Sequence, residues 1–163
     1  MLAAALLFAT LQPPEPTLIA ELPQPVLSEV SSAITECKSA LTGGGIEFLE
    51  GAGWKRAKLK KASILGSDVK GLMAKGSDAP LIEFKQSLNG LYSCTVWGRI
   101  DRKKDVSLLT SAIVTALPAK SNEKIMAAYL FAGEDALAAM NLRDSNTGPI
   151  FNIGIFPVKR GKK

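Results

Sequence analysis

A single α+β domain, an antiparallel sheet of about five strands with two main helices packed on one face, is the fold this sequence predicts. Three observations lead there. Two stretches carry apolar residues at helical spacing, and several shorter ones read as strands. The strand-like stretches also follow one another without the long β–α alternation that a parallel sheet requires. A chain of 163 residues, 47% hydrophobic and 21% charged, is long enough to bury one core and has ordinary globular composition.

The chain opens with Met1-Leu-Ala-Ala-Ala-Leu-Leu-Phe-Ala-Thr-Leu11 and runs into Gln12-Pro-Pro-Glu-Pro16. Eleven uncharged residues are too few for a membrane-spanning helix, which needs about 20. They fit the apolar segment of a secretory signal, although no Lys or Arg precedes them and no clear Ala-x-Ala site follows. Residues 1–20 therefore read as a signal peptide and proline-rich junction, residues 21–163 as the α+β domain, and the location as periplasmic or secreted.

The first helix follows. Val26, Leu27, Val30, Ala33, Ile34, Cys37, Ala40 and Leu41 recur at helical spacing, with Glu29, Glu36 and Lys38 on the other side and Gly43-Gly44-Gly45 as the stop. Farther on, Leu81–Gln86 and Leu91–Ile100 flank Leu88-Asn-Gly90, a strong hairpin signal. Alternation in the second strand puts Tyr92, Cys94, Val96 and Gly98 on one face. Cys37 and Cys94 thus lie on apolar faces of a helix and a strand that can pack together, and the sequence has no other cysteine. In an exported chain they predict one disulfide.

Between these elements, Gly66-Ser-Asp68 and Gly76-Ser-Asp78 read as capping and turn chemistry around a short helix at Val69, Leu72 and Met73. After the hairpin, Asp105 is a natural cap for a second main helix with Val106, Leu109, Ile113 and Leu117 as its buried stripe, ended by Pro118. Lys124–Phe131 and Pro149–Val158 read as strands. Glu134–Asp144 carries both helical propensity and strand alternation, and the turn-like Asp144–Gly148 inclines it toward a β-meander.

For function, the composition excludes more than it identifies. Histidine is absent, so Ser-His-Asp or Cys-His catalysis and any histidine-containing metal site are impossible. The glycines at 43–45 and 51–53 match no phosphate-binding fingerprint. No cofactor is implied. Glu47, Glu50, Glu83, Asp101 and Asp105 are available for carboxylate chemistry, and Ser-Lys chemistry is formally open, but no motif selects a partner for any of them.

The distinctive stretch is Gly51-Ala-Gly-Trp-Lys-Arg-Ala-Lys-Leu-Lys-Lys61. Lys55, Arg56, Lys58, Lys60 and Lys61 place five cations in seven positions beside Trp54, in a chain of net charge +5. With a period of two, Trp54, Arg56, Lys58 and Lys60 share one face and Lys55, Ala57, Leu59 and Lys61 the other, so the stretch reads as an edge strand or an exposed loop. Gly53-Trp54 suggests a bend that folds the indole back onto the domain. A solvated charged edge is the plain reading. The functional one is an anionic partner: an envelope polymer, lipid headgroups or an acidic protein, with Trp54 supplying a stacking or interfacial ring. Lys103, Lys104 and the C-terminal cations could extend the patch. Export makes nucleic acid an unfavoured ligand. The sequence therefore predicts a small exported binding or interaction protein without catalytic function. Its alternatives are an enzyme using carboxylates or Ser-Lys chemistry, or an intracellular nucleic-acid binder if the first residues are retained.

Overall fold

The structure is a computed structural model that describes residues 18–60, 65, 71–86, 92–101, 105–118, 121–125 and 128–158. Its order is β1 (Leu18–Ala20), α1 (Leu27–Ser39), a π-helical segment (Ala40–Gly44), α2 (Gly45–Gly51), β2 (Lys55–Leu59), β3 (Leu72–Ala74), β4 (Leu81–Gln86) and β5 (Tyr92–Arg99). Then come α3 (Val106–Ala116), β6 (Ser121–Ile125), β7 (Ala128–Ala132), β8 (Ala136–Arg143) and β9 (Ile150–Pro157).

The α+β class holds, with α1 and α3 as the main helices, but the sheet is larger than expected. Nine strands lie in the order β1-β2-β3-β4-β5-β9-β8-β7-β6 among the described residues. All neighbours are antiparallel except β1 and β2. The extra strands are short or come from subdivision. Leu72 and Met73, expected in a short helix, form β3, which pairs with both β2 and β4 and is buried along its length. The stretch Lys124–Phe131, expected as one strand, belongs to β6 and β7, which pair with each other. Glu134–Asp144 resolves as β8, with Ala136, Ala138 and Met140 buried, which completes the meander β7-β8-β9.

Period-two alternation divides the sheet into two faces. Ile82 and Phe84 of β4, Cys94 and Val96 of β5, and Phe151, Ile153 and Ile155 of β9 join Val30, Ala33, Ile34 and Cys37 of α1 in the main core. Leu109, Ala112 and Ile113 of α3 enter the same core. The opposite face holds a smaller cluster of Leu22, Ala57, Leu65, Leu72, Ala74, Leu81 and Ile150. The expected hairpin is present, with Gln86 opposite Tyr92; its turn at residues 87–91 lies outside the described residues.

Cys37 and Cys94 are fully buried and joined by a disulfide, their Cα atoms 5.7 Å apart. The bridge pins α1 to β5 at the centre of the main core. At the end of α1 the glycines interrupt the helical path, with Gly43 at φ 149°, and helix resumes as α2, which buries Leu49 fully in the main core. Asp105 takes the predicted cap position of α3, but its side chain makes no capping hydrogen bond.

Candidate anion-contact site

The basic stretch begins where α2 ends. Gly53 has φ 94°, a left-handed conformation that glycine adopts without steric penalty, and it reverses the chain. The following amide, of Trp54, donates to the Leu49 carbonyl at 3.0 Å. This bend drives the indole into the main core, where Trp54 is 2% exposed. Its Nε1–H donates to Glu36 Oε2 at 2.6 Å. Lys75 Nζ donates to Glu36 Oε1 at 2.8 Å and lies 5.8 Å from the centre of the indole ring. Glu36, expected on the wet side of α1, thus ties that helix to the bend and to the segment after β3.

The bend and the folding of the indole back onto the domain were legible in the sequence, but the stacking role considered for the ring does not fit its burial. A buried, hydrogen-bonded indole is not offered to a ligand for stacking. Trp54 anchors the start of β2 and leaves the contact to the cations that follow.

Those cations project from a regular strand. Lys55, Arg56 and Lys58 are exposed on β2, Ala57 is buried in the smaller cluster, and Leu59 is half-buried beside it. Lys60 is exposed just beyond the strand, and its amide donates to the Ala20 carbonyl at 2.9 Å, which carries the pairing one residue farther. Lys61, Lys103, Lys104 and the C-terminal cations lie outside the described residues. The strand is not at the edge of the sheet. Its first residues, Lys55 and Arg56, pair with β3, and Ala57, Lys58 and Leu59 pair with β1 on the other side.

Local acids answer two of the four described cations. Arg56 Nε lies 4.0 Å from Glu50 of α2, and Lys60 Nζ lies 3.3 Å from Glu21, just after β1. Arg56 shares its face with Met73 of the main core, but α1 crosses β4, β5 and β9. Arg56 and Lys58 thus stand at the surface beside the helix layer rather than beneath it, whereas Lys55, opposite Ala74 of the smaller cluster, lies on the other face.

The carboxylates considered for catalysis are dispersed. Glu47 and Glu50 are exposed on α2, and Glu83 is buried on β4 with Lys85 Nζ 3.0 Å from it. Asp101 and Asp105 follow β5. A cavity of about 660 Å³ beside α3 and the β7–β8 turn is lined in part by Lys38, Leu117, Glu134 and Asp135. It includes none of those five carboxylates among its lining residues. Among the described residues, no group of three or more His, Cys, Asp or Glu side chains could hold a metal ion. No helix among them is long and apolar enough to cross a membrane. Compared with protein-family models, curated proteins and solved structures, the chain shows no match.

Proposed function

We propose that this is a small exported protein that binds an anionic partner through the cations of β2, without catalysing a reaction. One observation carries the reading: Lys58 stands exposed on a regular strand between Arg56 and Lys60, whose counter-charges are themselves exposed, with Lys55 exposed on the other face. A rigid sheet holds these charges in place, and their surroundings are wet enough for a partner to approach. Long-range attraction to a negative surface then raises the encounter rate and weakens with salt.

The buried Cys37–Cys94 bridge supports export, because disulfides persist in oxidising compartments. Cleavage ahead of Leu18 would leave β1 on the sheet, whereas cleavage after Ala20 would remove it. Intact mass of the chain from its native host, with and without reduction, tests this part. A shortened chain lacking two thiol hydrogens is expected. A full-length, reduced chain would overturn export and bring nucleic acid back as the ligand.

For the contact itself, the native chain and the variant K55Q/R56Q/K58Q/K60Q are compared on anionic vesicles, a soluble polyanion and an acidic peptide. The native chain should bind at least one of these at low salt, and the variant should lose that binding. Binding to none, or equal binding by both proteins, would refute the assignment.

A further inference from the structure

Resting on that reading, we infer that β2 is fitted to a linear polyanion rather than to a single small anion, and that Glu21 and Glu50 set the charge density such a partner must carry. The geometry of the strand supplies the first part. Side chains on one face of a strand recur every second residue, about 6.6 Å apart. Arg56, Lys58 and Lys60 therefore form a line about 13 Å long. A single phosphate or carboxylate is usually held by converging donors, often successive backbone amides in a nest or at a helix N-terminus. Here the backbone of β2 is engaged in strand pairing, with β3 at Lys55 and Arg56 and with β1 from Ala57 to Leu59. What remains is a row of point charges, which a chain of regularly spaced anions can follow.

The two glutamates supply the second part. Glu50 sits on the element before β2 and reaches Arg56 near the start of the row. Glu21 follows β1, which runs parallel to β2, and so reaches Lys60 at the far end. Lys58, between them, is exposed without a carboxylate partner among the described residues. In the Arg56–Glu50 pair the side chains are 72% and 47% exposed, and in the Lys60–Glu21 pair 66% and 76%. Pairs this wet are weak and exchangeable. A lone anion reaches Lys58 and gains one contact. A polymer that spans the row gains Lys58 and, by displacing both carboxylates, Arg56 and Lys60 as well. Glu21 and Glu50 thus act as built-in competitors that a sparsely charged partner fails to displace.

The test compares inorganic phosphate with medium-chain polyphosphate at equal total phosphate, using the native chain, E21Q/E50Q, K58Q and the control D101N/E123Q. The control makes the same change in net charge away from β2, since Glu123 lies on β6 at the opposite edge of the sheet. The native chain should bind polyphosphate far more tightly than phosphate. E21Q/E50Q should tighten polyphosphate binding by up to about fivefold per glutamate. K58Q should weaken it, and D101N/E123Q should fall well short of E21Q/E50Q.

Polyphosphate binding no tighter than phosphate would overturn the polymer assignment and leave an anion site at β2 standing. Stronger binding to anionic vesicles than to polyphosphate would overturn it in favour of a membrane surface. Equal tightening by E21Q/E50Q and the control, or none by either, would overturn the role of the glutamates. Binding to neither phosphate form nor anionic vesicles would overturn the anion-contact reading as well.

Discussion

Breaking the Cys37–Cys94 bridge should cost this domain a large part of its stability, and the structure gives the size of the loss. The two cysteines are 57 residues apart in sequence, so the bridge closes a loop of about that length in the unfolded chain. Loop-closure entropy for such a length corresponds to about 4 kcal/mol at 25 °C. Folded domains are typically stable by about 5–15 kcal/mol, so the loss moves the chain toward the unfolding threshold. The variant C37A/C94A also removes two fully buried sulfur atoms, which adds on the order of 1 kcal/mol each. Guanidinium unfolding of the native chain, oxidised and reduced, separates these contributions from the variant. With a slope of about 4 kcal/mol per molar, reduction alone should lower the midpoint by about 1 M, and C37A/C94A should lower it further. A shift on reduction below about 0.2 M would refute the claim that the bridge constrains the unfolded chain.

Two further substitutions test the packing around the site and the core. Trp54→Phe keeps an aromatic ring in the core but removes the donor to Glu36; urea unfolding should show a loss of about 1.5–3 kcal/mol, and no measurable loss would mean that the hydrogen bond is not formed in solution. Gly98→Ala would place a Cβ 2.7 Å from two ring carbons of Phe151 and 2.9 Å from Pro25 Cδ, so a loss of about 1–3 kcal/mol is expected in thermal or urea unfolding, and a neutral outcome would show that Phe151 and the segment before α1 yield freely there.

The parts of this fold legible in the sequence are those where burial imposes a long, regular period. α1, α3, the β4–β5 hairpin and the inward aim of Cys37 and Cys94 all have runs long enough for 3.6 or 2.0 to be distinguished. β1 and β3 are three residues each, too short to show a period, and β3 is buried on both faces, which erases alternation altogether. The run through β6 and β7 reads as continuous because its interruption falls inside an apolar stretch. At the candidate site, alternation correctly grouped Arg56 with Lys58, and Gly53 announced the bend. Of the two acids that temper the row, Glu21 was not legible, because it meets Lys60 across 39 residues through the pairing of β1 with β2; the contact of Glu36 on α1 with Lys75 spans 39 residues as well.

The central claim, that the row on β2 contacts an anionic partner, is tested most directly by the salt dependence of polyanion binding. The logarithm of the native chain's affinity should fall against the logarithm of salt concentration with a slope of about −2 to −3, as expected when the three cations of the row release counterions. In K55Q/R56Q/K58Q/K60Q the slope should approach zero along with the affinity. The same slope and affinity in both proteins would place the contact elsewhere on the molecule and contradict the account.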